Sequence, residues 1–231
     1  MIRKKNLDLL PELVSLEGKR VLDAGCGDGA LARVMAGYGA IVTGIDTSPR
    51  QLAKALAKPP VKAETYLDAV AQAMPFADAS FDVVVFANSL HHLPVPVMAQ
   101  GLAEAARVLV AGGILYVSEP IACGGFFEVT RLIDDETEVR GKALEALRDA
   151  ARWGLELMQE LEHINPVRHK DFASFSERMG AIDAQRDARL AEKSEELSAA
   201  FHHHGRKEKD GWHFDQPTRV HVFRKGLTKS R

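Results

Sequence analysis

The chain has 231 residues, of which 46% are hydrophobic and 27% charged, with a formal net charge of −2 at pH 7. These proportions are typical of a globular protein with one good-sized core, and the charge balance argues against a strongly basic nucleic-acid surface. Two cysteines, Cys26 and Cys123, are too few for a disulfide framework, which predicts a reducing, cytoplasmic location. The basic residues near the start lead into Leu-Asp-Leu-Leu-Pro-Glu and not into an apolar run. We therefore expect no signal peptide and no membrane insertion.

Residues 20–46 combine two strand patterns with a glycine-rich turn. Residues 20–22 predict a buried strand, which leads into Asp23-Ala-Gly-Cys-Gly-Asp-Gly29 and then into a helix over residues 30–38. Glycine lets a backbone turn tightly and approach a ligand closely. The next strand, over residues 40–45, ends at Asp46. This carboxylate follows the glycines by about 20 residues, where a nucleoside-binding α/β fold needs an acceptor for ribose hydroxyls.

Strand and helix patterns continue to alternate up to residue 118. Ser48-Pro49 is a good helix start. Further segments are a weak strand at 61–66, a buried strand at 82–86, a helix at 95–109 and a strand at 114–118. This order predicts an α/β fold with a doubly wound, mostly parallel sheet and right-handed crossovers.

The pattern then becomes helical. Between residues 134 and 164 apolar side chains recur at helical spacing, and helical composition resumes after Pro166 to about residue 201. Such a block is too long for a simple crossover, so we predict a helical cap inserted at residues 125–205. Residues 218–224 alternate as a closing strand, and residues 206–210 are interpreted as a solvated linker. The predicted sheet domain therefore comprises residues 1–124 and 206–231.

Glycine spacing alone does not identify the nucleoside. Gly25-x-Gly27-x-x-Ala30 also fits a relaxed nicotinamide-dinucleotide fingerprint. Asp23 distinguishes between a dinucleotide and other nucleoside ligands, because its carboxylate would lie beside the central part of the ligand. In a dinucleotide that part is an anionic pyrophosphate, which a second anion repels. S-adenosylmethionine instead presents a cationic sulfonium and an ammonium, which a carboxylate favours.

Five segments resemble, in the correct order, the motifs of class I S-adenosylmethionine-dependent methyltransferases. They are Val21-Leu-Asp-Ala-Gly-Cys-Gly-Asp-Gly29, Ile45-Asp46, Ala73-Met-Pro-Phe-Ala-Asp-Ala-Ser-Phe-Asp-Val-Val-Val85, Asn88-Ser-Leu-His-His-Leu93 and Arg107-Val-Leu-Val-Ala-Gly-Gly-Ile-Leu115. The resemblance is to the small-molecule group, methyltransferase-11, that includes ubiquinone and menaquinone biosynthesis enzymes. It implies a Rossmann-like sheet with an antiparallel terminal strand, S-adenosylmethionine as cofactor, and in-line methyl transfer to a small acceptor under the cap.

The resemblance also implies the residues that contact the cofactor. They are Asp23, Gly25, Cys26, Gly27, Asp46, Thr47, Val70, Ala71 and Asn88. One departure concerns the adenine amino group, because Val70 stands where family members usually carry an acid. Either a shifted loop brings Asp68 to the adenine, or backbone groups of Val70 and Ala71 hold it. For Cys26 we favour a small buried residue over a nucleophile, since nothing nearby in sequence supplies a basic partner.

Two residues are candidates for a general base. His92 follows the fourth strand and Glu119 ends the fifth, both at the edge where open α/β sheets bind ligands. A base is needed only if the acceptor is a protonated group such as a hydroxyl. The alternatives are a packing or hydrogen-bonding histidine and a merely polar strand end. No metal is expected, because adjacent side chains in His202-His-His204 diverge on a helix.

Other functions stay open at this point. The missing acid at Val70 also fits a non-catalytic nucleoside-binding module, which turnover on any acceptor would exclude. A methyltransferase acting on RNA or protein is disfavoured by the balanced charge and by Ser-Leu-His after Asn88 in place of an amine-methylating Pro-Pro-Tyr. Protection by NADH but not by a sulfonium cofactor would favour a nicotinamide reductase.

Overall fold

The computed structural model describes residues 1–182 and 184–227. The strands are β1 (Ile2–Arg3), β2 (Arg20–Ala24), β3 (Ile41–Asp46), β4 (Thr65–Asp68), β5 (Phe81–Ala87), β6 (Leu109–Pro120), β7 (Leu155–His169), β8 (Arg206–Glu208) and β9 (Gly211–Lys225). The helices are α1 (Asn6–Leu13), α2 (Ala30–Gly37), α3 (Pro49–Ala57), α4 (Met98–Val108), α5 (Gly125–Thr130), α6 (Thr137–Arg148), α7 (Phe172–Gly180), α8 (Ala184–Glu192) and α9 (Ser194–His204). Three short 3-10 helices cover Leu90–His92, Val95–Val97 and Ala150–Trp153. In the part of the chain covered by the structure, no helix has the length and apolar character needed to cross a membrane.

The chain divides into two compact units. The larger unit contains residues 6–119, 141–161 and 219–227. The smaller unit contains residues 1–5, 120–140 and 162–218.

The larger unit contains most of the described parallel strand pairs of a mixed sheet. The strand order is β1-β7-β9-β6-β5-β2-β3-β4, with β8 paired to β9 off this path. Strand β2 pairs in parallel with β3 and with β5, β3 with β4, and β5 with β6. The antiparallel strand in the smaller unit is β8, against β9. The predicted fold class, a doubly wound and mostly parallel sheet flanked by helices with an antiparallel strand, is confirmed.

The sheet order places a topological switch point beside β2. From β2 the chain moves outward through β3 to β4 and then returns to the other side of β2 as β5 and β6. Open α/β sheets bind ligands at the carboxyl ends of the strands at such a point. The glycine-rich turn after β2 therefore lies where the fold itself favours a ligand.

Apolar alternation along the central strands positions this edge. Val21 on β2, Val42 on β3 and Val85 on β5 are buried on one core cluster, together with Leu10 of α1 and Met35 of α2. Polar residues lie at or just beyond the carboxyl ends of these strands, with Asp23 on β2, Asp46 at the end of β3 and Asn88 directly after β5. Those polar residues form the candidate site.

The smaller unit has an aromatic core of its own. His169, at the end of β7, lies among aromatic rings, stacked on Phe126 at 5.9 Å between centroids and edge-on to Phe175 at 5.3 Å. Its side chain is buried, and its Nε2 atom has no hydrogen-bond partner among the described residues. Burial, and then the charges of Arg178 and Arg168, lower the pKa of His169 to about 4.

The prediction of helix between residues 134 and 164 is wrong in its second half. Helix α6 ends at Arg148, and the short helix Ala150–Trp153 that follows is ended by Gly154, whose φ of 71° is in the left-handed region. Strand β7 follows and occupies residues 155–169. Leu155 and Leu161 fit an alternating strand as well as the helical stripe that Met158 completes, and the helical interpretation missed the break at Gly154. The proposed linker likewise begins with the exposed strand β8.

Residues 125–205 are otherwise helical, since they contain α5 to α9 as well as β7. Their role as a cap over an acceptor, and the domain limits at 1–124 and 206–231, stay predictions. The weak third strand lies later than expected, at Thr65–Asp68. Both cysteines lie within the described residues, and neither is in a disulfide; the cytoplasmic location stays a prediction.

Candidate functional site

The glycine-rich turn is held against the end of β3 by backbone hydrogen bonds. Gly25 and Cys26 both donate their N–H groups to the carbonyl of Ile45, at 2.8 and 3.0 Å. Gly25 has a φ of 79°, and a Cβ added there would lie 2.5 Å from the Cβ of Ser89. Gly27 has a φ of 54°, but a Cβ there would meet no described protein atom within 4 Å. The turn is thus in close contact with Ser89 at Gly25, whereas the space beside Gly27 is open.

Asp46 fixes the turn from the end of β3. One carboxylate oxygen accepts the N–H of Gly27 at 2.8 Å, and the other accepts the N–H of Ser48 at 2.8 Å. Ser48 in turn caps α3 by accepting the N–H of Gln51, with Pro49 in the first helical turn as the sequence predicts. Each carboxylate oxygen has a second acceptor site, so the two hydrogen bonds leave room for ribose hydroxyls.

Asp23 is the buried carboxylate of the site. Its side chain is only 1% exposed, and its Oδ2 atom has no hydrogen-bond partner among the residues that the structure describes. Burial, and then the negative charge of Asp46, raise the pKa of Asp23 to about 7. A buried carboxylate that lacks donors favours a cationic ligand over an anionic one.

The strand register brings further acidic side chains to this edge. Asp23 is opposite Gly44, while Asp46 is opposite Asp68 on β4. Residues two apart on a strand share a face, and residues in register on neighbouring strands do too. Asp23, Asp46 and Asp68 therefore belong to one face at the carboxyl ends of three adjacent strands. An edge of this composition is unsuited to a pyrophosphate.

The adenine candidates lie just beyond β4. Ala69 donates its N–H to the carbonyl of Asp46 at 3.3 Å, and a turn from Val70 to Ala73 follows at 3.2 Å. Val70 is 37% exposed, Ala71 is buried and Asp68 is exposed. All three lie next to the end of β3, and the choice between Asp68 and the backbone of Val70 and Ala71 stays a prediction.

Glu119 anchors the turn that follows β5. One of its carboxylate oxygens accepts the N–H groups of Ser89 and Leu90, at 3.1 and 2.9 Å, and the other contacts Nδ1 of His91. Glu119 and His91 are both buried, and the Ser89 hydroxyl donates to the carbonyl of Ala24 at 2.6 Å. Glu119 thus positions the turn through both of its oxygens. Its role as a base stays a prediction.

Sequence reasoning missed the pair formed by His91 and Glu119. It singled out His92, which is exposed and lies against the His91 ring at 4.1 Å between centroids. The pair follows from the strand register, which local sequence patterns do not specify: Ala87 at the end of β5 is opposite Ser118 on β6. A residue just after β5 therefore reaches the residue after Ser118. The role of His92 as a base stays a prediction.

The remaining candidates lie around the same edge. Asn88 is exposed with a φ of 54°, a conformation that asparagine tolerates, and donates its N–H to the carbonyl of Ser118 at 2.8 Å. Thr47 is exposed directly after Asp46. The Cys26 side chain is buried, and a Cβ on Gly44 would lie 2.8 Å from its sulfur. Burial, and then Asp23 and Asp46, raise the pKa of the Cys26 thiol, so it stays protonated and is a poor nucleophile.

Comparison with known proteins agrees with this geometry. Residues 22–117 match a family model described as a methyltransferase domain. The ubiquinone biosynthesis O-methyltransferase of Paracidovorax citrulli is 37% identical over 124 residues, which are 51% of this chain and 50% of that protein. The demethylmenaquinone methyltransferase of Chlorobaculum tepidum is 43% identical over 110 residues, 46% of this chain and 44% of that protein. The chain thus spans about half the length of the curated relatives it matches.

A solved structure extends the likeness of the fold to nearly the whole chain. The YcgJ protein of Bacillus subtilis superposes with a TM-score of 0.65 at 22% identity, over 95% of this chain and 97% of that one. At this identity the likeness concerns the fold alone. The family match and the ordered motifs concern residues 22–117, and they support a methyltransferase domain of the class I S-adenosylmethionine-dependent type in that part of the chain.

Proposed function

We propose that this chain is an S-adenosylmethionine-dependent methyltransferase that acts on a small-molecule acceptor. The observation that carries the proposal is Asp23, a buried carboxylate with an unpartnered oxygen beside the glycine-rich turn. Asp46 and Asp68 on the same face add to the negative potential there. This arrangement fits a ligand with a cationic centre and disfavours the nicotinamide dinucleotide.

The residues present fit the cofactor. Asp46 would hold the ribose hydroxyls with its remaining acceptor sites, and the open space at Gly27 admits the methionine part. Thr47, Val70 and Ala71 would line the adenosine end. When bound, S-adenosylmethionine supplies a methyl group on a sulfonium, already activated for in-line displacement. The protein then has to orient the acceptor and exclude water.

In this proposal, the acceptor is recognised by a different part of the chain from the cofactor. We infer that residues 125–205 carry the side chains that recognise it, because every residue assigned to the cofactor lies outside that range. The names of the matched relatives make precursors in quinone biosynthesis the first acceptors to test. If the acceptor is a hydroxyl, His92 or Glu119 is the candidate base.

Titration calorimetry with S-adenosylmethionine and S-adenosylhomocysteine tests the cofactor assignment. We expect both ligands to bind, and Asp46→Ala to abolish or strongly weaken both. Asp8→Asn is the matched control, since Asp8 is an exposed carboxylate on α1 and its loss leaves binding unchanged. Absence of binding at millimolar ligand contradicts the assignment.

Formation of S-adenosylhomocysteine with a panel of acceptors tests the reaction. Turnover on a quinone precursor or another small molecule supports the proposal. A salt-dependent complex with RNA, or methyl incorporation only into protein, favours a macromolecular acceptor instead. Tight cofactor binding without turnover on any of these acceptors favours a non-catalytic binding module.

A further inference from the structure

The hairpin formed by β8 and the start of β9 brings two carboxylates and an imidazole together. Glu208, Asp210 and His213 each offer one ligand atom, and these atoms lie within 4.8 Å of one another. The Nε2 atom of His213 faces both acids, at 2.7 Å from Oδ1 of Asp210 and 3.8 Å from Oε2 of Glu208. The cluster belongs to the smaller unit and shares no residue with the cofactor candidates.

The backbone of the hairpin fixes this arrangement. Glu208 is opposite Gly211 in the antiparallel pair, and His213 is two residues further along β9, so Glu208 and His213 share one face of the hairpin. Asp210 lies in the turn between the strands, and Arg168 holds this turn by donating from Nη1 to the Asp210 carbonyl at 2.7 Å. The imidazole is largely covered, with 17% of the His213 side chain exposed. Because the backbone already places the three donors near one another, collecting them around an ion costs little conformational entropy.

The spacing of the donors fits a small cation. Two donors that are each about 2.1 Å from a tetrahedrally coordinated zinc ion lie about 3.4 Å apart. The distances from His213 Nε2 to the two carboxylate oxygens, 2.7 and 3.8 Å, bracket this value. Small side-chain rotations therefore suffice to place an ion between the three donors. Glu208 and Asp210 are exposed, so water completes the coordination.

The two cations of β8 are directed away from the cluster. Arg206 pairs with Asp215 at 3.4 Å. Lys207 lies on the opposite face of the hairpin, with its Nζ atom 5.2 Å from the centre of the Trp212 ring. The face that carries Glu208 therefore keeps the negative charge that a cation requires.

Asp210 is ionised at neutral pH and available to a metal. The hydrogen bond from His213, together with the nearby charge of Arg168, holds the pKa of Asp210 below its usual value. The Nε atom of Arg168 lies 3.8 Å from Oδ2 of Asp210, but these side chains are 55% and 60% exposed. Water screens such a pair, so it competes only weakly with a divalent ion.

We propose that Glu208, Asp210 and His213 form a binding site for a divalent transition-metal ion of the zinc class. An imidazole nitrogen suits zinc, nickel and cobalt, whereas magnesium and calcium prefer oxygen ligands alone. The ion links β8, the turn and β9, and it stabilises the folded hairpin by binding to it. The expectation that no metal binds concerned His202-His-His204, which is a different set of residues.

Calorimetric titration of the full-length chain with zinc chloride, without an added histidine tag, tests the site. Glu208→Gln and Asp210→Asn keep the side-chain shape and are expected to weaken zinc binding about tenfold or more, because loss even of a group that orients a metal ligand costs about 10–100-fold. His213→Ala is expected to abolish this binding. Two matched controls, Glu195→Gln for an exposed acid and His203→Ala for an exposed histidine, are expected to leave it unchanged.

Tryptophan fluorescence provides a second readout that a purely structural role of these residues would not change. Trp212 directly precedes His213, and Trp153 is the other tryptophan of the chain. In a Trp153→Phe protein, cobalt at this site is expected to quench the emission of Trp212, since paramagnetic ions quench nearby fluorophores. Adding His213→Ala should remove the quenching.

Thermal unfolding without metal shows whether each variant is folded, and zinc is expected to raise the melting temperature of wild type but not that of His213→Ala. Absence of zinc binding to wild type overturns the inference. So does an affinity that is unchanged in Glu208→Gln, Asp210→Asn and His213→Ala, because the ion is then held elsewhere. Loss of binding in His203→Ala assigns the ion to the histidine run and overturns it too, as does magnesium binding as tightly as zinc.

Discussion

Replacing Asp23 by asparagine should stabilise the ligand-free protein at neutral pH. The substitution keeps the shape of the side chain and removes its ability to ionise. In the folded protein the pKa of Asp23 is raised from 3.8 to about 7, so between these values the folded state holds a proton that the unfolded state has lost. Stability conferred by that proton is fully present below pH 3.8 and declines as pH rises through 7.

The size of the effect follows from the shift. Each unit of pKa difference corresponds to about 1.4 kcal/mol, so a shift of about three units makes wild type less stable than Asp23→Asn by about 4 kcal/mol above pH 7. Between pH 5 and pH 7 the gap should widen by about 2 kcal/mol. Groups that do not interact with Asp23 titrate equally in both proteins and cancel in the difference.

Urea unfolding followed by circular dichroism, at several pH values and without ligand, measures this gap. Asp8→Asn is the control for loss of an exposed carboxylate, and it should follow wild type at every pH. A stability difference that does not change with pH, or an Asp23→Asn protein that is less stable than wild type at pH 8, would refute the reasoning. Asp46→Asn should act in the opposite direction and lose about 1–3 kcal/mol, because the Asp46 carboxylate accepts two backbone N–H groups.

Three further predictions concern other parts of the fold. Gly25→Ala should lower the melting temperature strongly, because its Cβ would lie 2.5 Å from another side chain; Gly27→Ala should lower it less but still weaken cofactor binding in calorimetry. His169→Phe should be more stable than wild type in acid: the pKa of His169 is lowered from 6.5 to about 4, so wild type loses about 3 kcal/mol as pH falls through that window, measured by urea unfolding. Glu119→Gln should destabilise the protein in urea unfolding by about 1–3 kcal/mol, since one oxygen of its carboxylate accepts two backbone N–H groups.

The cofactor half of the fold could be predicted from sequence because its signals are local. A buried apolar run followed by Asp23 and glycines specifies a strand and a tight turn, and Asp46 falls at the end of the next run. In a parallel sheet both ends lie at the same edge, so the spacing alone brings the two carboxylates together. The structure adds that the Asp46 carboxylate accepts a hydrogen bond from the N–H of Gly27, 19 residues earlier. The sequence spacing alone does not predict this contact.

What sequence reasoning missed depends on non-local pairing. The contact of His91 with Glu119 spans 28 residues and follows from the register of β5 against β6. Strand β7 was mistaken for helix because its leucines satisfy two periods, and pairing with neighbouring strands decides between them. Local patterns specify elements, but register and pairing are settled only when distant strands meet.

The acidic groups of the site are of two kinds: some accept backbone N–H groups, and one lacks such donors. The second kind indicates where a cationic ligand binds. Asp46 and Glu119 accept backbone N–H groups and stabilise the turns around the site. Asp23 is buried, lacks such donors at one oxygen and destabilises the fold when ionised. An ionised carboxylate that destabilises the ligand-free protein is stabilised by a ligand that supplies a positive charge, and the protein is then stabilised by binding that ligand. The stability lost at Asp23 and its preference for a cationic ligand are therefore two consequences of the same missing counter-charge, and Asp23→Asn should remove both together.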